Sequence, residues 1–199
     1  MTDPLILTSA SASRRAMLEA AGVAFEAIPA AIDEAALTET RLANGEAPRA
    51  IAHALAEAKA LAVSAHYPGR WVIGSDSMVS VAGRVFDKPR SRGEAADHLM
   101  AFSQQTILLD SCVVMVRDSV VIDVASDDAR LGVRRLSASF IEHYLDTEWP
   151  AIAACVGCFR IEGRGSQLFE SMTGSHFTIL GMPLLPLLAM LRTQAILPS

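Results

Sequence analysis

The apolar positions near the N-terminus predict a buried strand followed by a helix. Leu5 to Leu7 is an uninterrupted apolar run, and the stretch RRAMLEAAG has helical spacing and closes at Gly22. Ser9, Ser11 or Ser13 is placed to cap the start of this helix. A strand that leads into a helix N-terminus is an arrangement that often binds anions.

Further along the chain, the pattern predicts alternating strands and helices and then two long strands. Strands are predicted at about residues 25–28, 71–74, 106–117 and 120–134, with a polar break and a second short strand after residue 74. Helices are predicted at about residues 48–65 and 91–102, from Ser137 onward and after GMPLLPLL. Because antiparallel strands cluster late, the expected fold is an α+β or mixed-sheet α/β domain.

Composition narrows the class of protein. The 199 residues are 51% hydrophobic, enough for one good core or two small lobes around a cleft, and one domain over residues 1–199 is expected. The net charge of −5 disfavours nucleic-acid binding. The N-terminus has no signal-peptide pattern, and no apolar stretch reaches the roughly 18 residues of a membrane span. A cytoplasmic protein is therefore expected.

The three cysteines are poorly spaced for a metal site. Cys155 and Cys158 have CxxC spacing without a second such pair or a histidine cluster, which disfavours structural zinc. A redox pair would open a helix, whereas CVGCFRIEG predicts a strand that enters a glycine-rich loop. Small buried thiols are therefore expected, with a thiol redox protein as a rival hypothesis.

Arg14 and Arg15 stand at the start of the first predicted helix, where the helix dipole favours anions rather than cations. Their position is reasonable if they bind a ligand anion that is drawn to the free N–H groups of the helix start. The alternative is an ordinary helix cap flanked by solvated arginines.

Three further charged residues accompany predicted elements. Asp76, in VIGSDS, is predicted just past the C-terminal end of a buried strand, where ligands of α/β sheets collect; the alternative is an Asx-turn residue. Lys59 shares the apolar stripe of its helix, so it must either reach solvent along its stem or meet an anion. Lys88, in FDKP, is either a solvated loop lysine or a further anion contact.

Together these charges suit a polyphosphate with a hard divalent cation. The carboxylates Asp33, Glu34 and Asp76 would bind Mg²⁺ and activate water, and the cations would neutralise phosphate charge. No Ser-His-Asp or Cys-His arrangement competes, because the five histidines are scattered, mostly on helix faces predicted to be exposed. The sequence contains neither a GxxxxGK[ST] loop nor a GxGxxG turn after a strand.

Four stretches of the chain resemble, in order, the Maf family of nucleoside triphosphate pyrophosphatases. They are LILTSASASRRAMLEAAGVAFEAIPAAIDE, ALAEAKA, VIGSDSMVSVAGRVFDKP and FRIEGRGSQLFESMTGSHFTILGMPLLPLLAMLR. The family signatures S-x-S-x-x-R, D/E-E, K-A, G-x-D and K-P fall on the charged residues selected above on physical grounds. The resemblance also places Ser9, Ser11 and Arg14 among the substrate-binding residues.

The resemblance implies a mixed, strongly twisted sheet flanked by helices, with two lobes around a central nucleotide cleft. It implies hydrolysis of a nucleoside triphosphate between its α- and β-phosphates, with Mg²⁺ or Mn²⁺ and often in a homodimer. Asp76 matches the family's proton acceptor, and Glu34, Lys59 and Lys88 match its metal- and phosphate-handling positions. Glu34 and Asp76 are the implied metal ligands.

The positions that the family links to base selection fall on Ser13, Ser77 and Glu162. The commonest pattern has arginine, threonine and glutamine at these positions, lysine at Cys155 and a histidine at about Ile107. The departures resemble the branch that acts on 7-methyl-GTP, because a carboxylate suits a cationic methylated guanine and an amide suits a neutral pyrimidine. They also leave a rival hypothesis, a nucleotide-binding regulatory protein, related to cell division, that has lost turnover.

Overall fold

The computed structural model describes residues 4–198, which divide into two compact units. Within these residues, unit 1 comprises residues 4–77, 110–127 and 175–198, and unit 2 comprises residues 78–109 and 128–174. The strands are β1 (Leu5–Leu7), β2 (Phe25–Ala27), β3 (Trp71–Val81), β4 (Arg84–Phe86), β5 (Thr106–Arg117), β6 (Val120–Val133) and β7 (Phe169–Gly174). The α-helices are α1 (Ala12–Ala20), α2 (Glu34–Ala43), α3 (Pro48–Ser64), α4 (Arg92–Phe102), α5 (Ala138–Glu148), α6 (His176–Ile179) and α7 (Leu184–Thr193).

The sheet contains both parallel and antiparallel pairs. Its strand order is β2-β1-β3-β5-β6-β7, and β4 pairs with β3. β1 pairs in parallel with β2 and β3, whereas the β3–β4 and β6–β7 pairs are antiparallel. The predicted mixed-sheet α/β fold is therefore confirmed.

Strand β1 lies between two parallel neighbours in unit 1. Leu5 pairs with Phe25 of β2, and Leu7 pairs with Ile73 of β3. All three residues of β1 are buried, as expected for a strand that is covered on both faces. The parallel register puts the C-terminal end of β1, and the loop that follows it, beside the polar stretch of β3 that begins after Ile73.

Two helices supply most of the apolar side chains that pack with β1. α1 contributes Met17 and Leu18, and α7 contributes Leu187, Met190 and Leu191, all buried in one core cluster. The cluster also contains Leu184 at the start of α7 and residues from β1, β3, β5 and the segments before β2 and α7, namely Leu5, Leu7, Val23, Ile73, Val113, Met115 and Met182. Truncating a fully buried leucine in such a core costs about 2–5 kcal/mol of stability.

Helix α3 approaches β3 very closely at Gly74. A Cβ at position 74 would collide with the backbone carbonyl oxygen of Ala56 and would lie 2.9 Å from Cβ of Ala60. Ala56 and Ala60 are fully buried, so small side chains on the helix face a glycine on the strand. This close packing places Lys59 of α3 beside Asp76 of β3.

Unit 2 is built from the antiparallel strand pairs and two helices. β3 and β4 pair on either side of a turn at residues 82–83. Helices α4 and α5 begin after Ser91 and Ser137, whose hydroxyls cap them by accepting from backbone N–H groups in the first turn. Both helix starts agree with the sequence prediction, as do the long strands β5 and β6 and the turn between them.

Two predictions about local structure are wrong. β3 runs unbroken from Trp71 to Val81, so there is no polar break, and Asp76 lies within the strand rather than beyond its end. The stretch CVGCFRIEG forms turns instead of a strand, since Gly157 and Cys158 have φ angles of 89° and 60°. The histidines are mostly exposed, as expected: His66, His143 and His176 are exposed, whereas His98 of α4 is buried, with 7% of its surface exposed.

Three elements have no counterpart in the prediction. Helix α2 follows Asp33 where only two carboxylates were noted, and β7 and α6 include five of the six residues of MTGSHF, a stretch whose sequence predicts a loop. None of the helices within residues 4–198 is both long enough and apolar enough to cross a membrane.

Candidate active site

An ion cluster of three side chains lies in unit 1. The Lys59 ammonium is 2.7 Å from Oε2 of Glu34 and 2.6 Å from Oδ1 of Asp76. The side chains of Lys59 and Asp76 are only 8% and 12% exposed, whereas that of Glu34 is 47% exposed. One ammonium therefore neutralises the buried carboxylate and also reaches one near solvent.

Each member of this cluster is placed by a different element. Lys59 stands between Ala56 and Ala60 on the face of α3 that packs closely on β3, and Asp76 follows Gly74 on that strand. Glu34 is the first residue of α2, where a helix N-terminus favours negative charge. The neighbouring Asp33 is the N-cap of α2, because its carboxylate accepts from the backbone N–H of Ala36 at 2.9 Å.

Arg14 is held by three oxygens from three parts of unit 1. Its Nε donates to the carbonyl oxygen of Gly181 at 2.8 Å, its Nη1 to Oγ of Ser9 at 3.3 Å and its Nη2 to Oγ of Ser77 at 3.2 Å. All three acceptors are uncharged. Ser11 is the cap of α1, since its hydroxyl accepts from the backbone N–H of Arg14.

The electrostatic surroundings of Arg14 join it to the ion cluster. Burial lowers the pKa of the Arg14 guanidinium, and the negative charges of Asp76 and Glu34 oppose that shift. An arginine side chain keeps its charge under these conditions. Arg14 is thus a partly buried cation that feels both carboxylates while its hydrogen bonds go to neutral oxygens.

Gly181 presents the carbonyl that orients Arg14. Its φ angle of 104° lies in the region that favours glycine, because a Cβ there would be strained. The same carbonyl oxygen is 2.9 Å from Oγ of Ser77 and 3.4 Å from Oγ of Ser75. The short segment between α6 and α7 therefore serves as a fixed acceptor for several donors.

Unit 1 thus brings together most of the predicted site residues. Ser9, Arg14 and Ser77 form one hydrogen-bonded group, and Glu34, Lys59 and Asp76 form the other. Ser13 is half-buried on α1 and Arg15 is exposed.

Two predicted site residues, Lys88 and Glu162, belong to unit 2. Both are exposed, Lys88 after β4 and Glu162 in the turns that follow CVGC. Their charges reach the half-buried thiol of Cys155: burial raises its pKa, Glu162 raises it further, and Arg160 and Lys88 lower it. Lys88, Glu162 and Cys155 are therefore electrostatic neighbours within unit 2.

A second polar cluster of unit 2 is neutral. Sγ of Cys158 lies 3.6 Å from Nδ1 of His98, and the hydroxyl of Tyr144 donates to the Cys158 carbonyl at 3.0 Å. Burial raises the pKa of the Cys158 thiol to about 12 and lowers the pKa of His98. Redox cysteines instead have a lowered pKa, so the geometry gives no support to the thiol redox hypothesis.

Two hydroxyl groups in the hydrogen-bond network of Arg14, those of Ser111 and Thr178, were not predicted from the sequence. Oγ of Ser111, on β5, lies 2.7 Å from Oγ of Ser77 and donates to the carbonyl oxygen of Thr178 at 3.1 Å. The hydroxyl of Thr178 donates to Oδ2 of Asp127 at 2.6 Å. The one signal in the sequence is a serine inside the apolar run of TILLDSCVVMV.

The carboxylates of the ion cluster have the chemistry of divalent-cation ligands. Mg²⁺ in proteins is usually held by one or two carboxylates together with substrate phosphates and water. Glu34 and Asp76 supply such hard oxygens, and both already contact one cation, the Lys59 ammonium. Within residues 4–198 no group of three or more His, Cys, Asp and Glu side chains is arranged for a metal ion. Two carboxylates are a donor set that fits a cation whose other ligands come from a substrate and water.

Comparison with known proteins places the chain in a family. The family model described as Maf-like protein matches residues 4–194, almost the whole chain. The chain belongs to the Maf family. The resemblance noted in the sequence is thereby confirmed.

Relatives of this Maf protein carry two kinds of name. A "nucleoside triphosphate pyrophosphatase" of Sphingopyxis alaskensis is 46% identical over 196 residues, which cover 98% of this chain and 99% of the relative. A "7-methyl-GTP pyrophosphatase" of Rhizobium meliloti is 47% identical over 192 residues, 96% of each chain. A "nucleoside triphosphate pyrophosphatase" of Nitrobacter hamburgensis is 46% identical over 195 residues, 98% of this chain and 95% of the relative.

Proposed function

We propose that this Maf protein is a nucleoside triphosphate pyrophosphatase, a hydrolase acting on acid anhydrides that converts an NTP to the NMP and pyrophosphate. The observation that carries the proposal is the buried Asp76 carboxylate, held by Lys59 in the same unit as the Arg14 guanidinium. Relatives that share nearly half of its residues over their full length bear that activity in their names.

Asp76 is the proposed general base. It takes a proton from a water molecule, whose oxygen attacks the α-phosphorus, and the bond from that phosphorus to the oxygen bridging to the β-phosphate breaks. Lys59 contacts Asp76 through Oδ1, one of its two carboxylate oxygens, and keeps the side chain in a single orientation. A positioned base of this kind contributes roughly 10²–10⁴-fold to the rate.

The cations are proposed to stabilise negative charge on the phosphates and on the departing pyrophosphate. Arg14 suits this role because neutral oxygens orient its guanidinium without cancelling its charge. Lys59 and the exposed Lys88 are assigned the same task by their family positions. Electrostatic stabilisation by such preorganised groups is often the largest single contribution to catalysis.

Glu34 and Asp76 are the residues that would hold a divalent cation, Mg²⁺ or Mn²⁺. When bound, the cation would neutralise phosphate charge and lower the pKa of coordinated water. Glu34 is half exposed, so it can meet a cation that arrives with the substrate.

The proposed substrate is 7-methyl-GTP or a similarly modified nucleotide. The proposal is supported by Glu162, an exposed carboxylate at a position that the family links to the base, and by Ser77. A 7-methylated guanine carries a positive ring and N–H donors, so a carboxylate matches both its charge and its hydrogen bonds.

The test is a pyrophosphate-release assay with Mg²⁺ across ordinary and methylated nucleoside triphosphates. We expect the highest kcat/KM on a methylated guanine nucleotide and loss of release when EDTA removes the cation. A clear preference for dTTP or UTP would refute the substrate assignment and leave the reaction class intact. Binding of every nucleotide without release would refute the enzyme and favour the regulatory protein.

A further inference from the structure

We propose that Ser111 is a positioning residue, which orients the Ser77 hydroxyl and thereby the Arg14 guanidinium toward the phosphates of the substrate. The inference rests on the proposed function, since it assumes that Arg14 meets a triphosphate. Ser111 belongs to none of the family signatures in the sequence, and the relatives' names do not point to it.

The first observation is how Arg14 uses its N–H groups. A guanidinium has five, and within the described residues three of them donate to Gly181, Ser9 and Ser77. The remaining two therefore lie one on each terminal nitrogen, the arrangement that binds two oxygens of one anion. The direction in which these two remaining N–H groups point depends on the three protein oxygens that accept from the other three.

The second observation is that the acceptor at Gly181 is shared by more donors than it can bind well. Its carbonyl oxygen has two lone pairs, but Arg14, Ser77 and Ser75 all lie within hydrogen-bond distance of it. When Ser111 donates to Thr178 it relieves this competition, because its Oγ, 2.7 Å from Oγ of Ser77, then offers the Ser77 proton another acceptor. The short Arg14 bond to Gly181 is then retained.

The two hydroxyl protons can be arranged in two ways. If Ser111 donates to Ser77, then Ser77 donates to Gly181 and accepts from both Ser111 and Arg14. If Ser111 instead donates to Thr178, then Ser77 donates to Ser111 and still accepts from Arg14. In both arrangements Ser111 holds Oγ of Ser77 as an acceptor for Nη2 of Arg14.

The third observation concerns the burial of Ser111 and its hydrogen bonds. It is 1% exposed in a strand whose next five residues are also buried, so it acts through its neighbours. On its far side it is bound to the Thr178 carbonyl, and Thr178 is anchored to Asp127 by a 2.6 Å hydrogen bond. A hydroxyl buried in an apolar strand is unfavourable unless it is paired, and here its pairs lead to Arg14.

The test compares Ser111→Ala with Ser64→Ala. Ser64 is a matched control, because it is also a buried serine of unit 1 whose hydroxyl makes a hydrogen bond, to the backbone N–H of Ser119 at 3.0 Å. Calorimetry with Mg²⁺ and an α,β-methylene analogue of the preferred nucleoside triphosphate measures affinity without turnover. We expect Ser111→Ala to weaken binding about three- to tenfold, the effect of one neutral hydrogen bond, and Ser64→Ala to leave it within twofold.

A second comparison separates positioning from general damage. The same titrations are run in the Arg14→Ala background, where Ser111→Ala should change affinity less than twofold because the residue that it orients is gone. An equal loss in both backgrounds, or an equal loss in Ser64→Ala, would overturn the proposal. Unfolding temperatures of all variants identify any that fail to fold. Ser111→Thr keeps the hydroxyl and should therefore bind the analogue about as tightly as wild type. Binding as weak as that of Ser111→Ala would contradict the proposal.

The proposal and the enzymatic function can fail separately. If wild-type protein binds the analogue but releases no pyrophosphate, the reaction is refuted while the titrations still decide the role of Ser111. If pyrophosphate is released and Ser111→Ala binds the analogue as tightly as wild type, the positioning role is refuted and the reaction stands.

Discussion

Each unit of this Maf protein buries a pair of titratable side chains, and the two pairs behave in opposite ways. In unit 1, Lys59 and Asp76 meet at 2.6 Å as an ammonium and a carboxylate. In unit 2, Cys158 and His98 meet at 3.6 Å, and burial raises the pKa of the thiol and lowers that of the imidazole. One pair is joined by opposite charges, and the other is kept neutral.

The difference shows which buried polar group is suited to chemistry at neutral pH. Burial disfavours a charge unless an opposite charge or several hydrogen bonds compensate it. The pair in unit 1 has that compensation and can hold a base next to a polyanion. The pair in unit 2 lacks it, so its thiol and imidazole contribute to packing and to stability.

The largest effect is expected from removing the charge of the proposed base. Asp76→Asn keeps the size of the side chain but cannot accept the proton, so kcat for pyrophosphate release should fall about a hundredfold or more. Asp97→Asn, an exposed change on α4, is the control and should retain wild-type kcat. Near-normal turnover of Asp76→Asn on every nucleotide tested would refute the mechanism.

A smaller loss of activity is expected from Arg14→Lys, which keeps the positive charge but removes the planar guanidinium. Arg14→Lys retains a cation but cannot donate at once to Gly181, Ser9, Ser77 and a phosphate. We expect kcat/KM to fall about ten- to hundredfold. The adjacent and exposed Arg15→Lys should change kcat/KM less than twofold, and an equal loss in the two variants would show that the contacts of Arg14 are irrelevant.

Lys59→Met tests whether Lys59 occupies a cation position. Without the ammonium, Glu34 and Asp76 lose their shared partner, so the nucleotide-free protein should bind Mn²⁺ tighter by up to about tenfold, measured by electron paramagnetic resonance. Arg41→Met removes a different 2.7 Å ion pair of unit 1, with Glu46, and should leave Mn²⁺ affinity unchanged. Weaker Mn²⁺ binding in Lys59→Met would show that the lysine supports the cation site.

The smallest effect concerns the neutral pair of unit 2. Because burial lowers the pKa of His98, the unfolded chain takes up a proton before the folded one as the pH falls. Stability from this group is therefore present above its unfolded pKa and is lost as the pH falls through its folded pKa. Urea unfolding at pH 7.5 and 5.5 should show a smaller pH-dependent loss in His98→Gln than in wild type.

The control for this measurement is His143→Gln on the exposed face of α5. Its pH-dependent loss of stability should match that of wild type. Only the difference between the two pH values is informative, because His98→Gln also removes a ring contact with Phe86, at 5.1 Å, under all conditions. An unchanged difference in His98→Gln would show that the imidazole titrates alike in the folded and unfolded chains.

The sequence predicted the parts of the fold that leave a local signal. β1, α3, α4 and the β5–β6 hairpin have clear apolar periodicity or caps, and all were predicted within a few residues. Helix α2 was missed because it buries none of its residues, so no apolar stripe marks it. The turn at Cys158 was read as a strand because a positive φ at a residue other than glycine has no compositional signature.

The residues of the candidate site also differ in how much local signal they leave in the sequence. Lys59 could be predicted as a buried lysine in need of an anion, because it interrupts an apolar stripe. The contacts of Ser77 with Ser111 and Gly181 could not, since they join residues 34 and 104 positions apart through tertiary packing. Asp76 was selected correctly as a charge of interest, although its place within β3 was not.

Gly74 has a consequence for how variants of this protein should be interpreted. It carries no functional group, yet any side chain there would push α3 away from β3 and separate Lys59 from Asp76, two residues further along the strand. In a library of random substitutions, position 74 should therefore tolerate as little change as the proposed base itself. Intolerance at a position can thus report a spacing between two backbones rather than a chemical role.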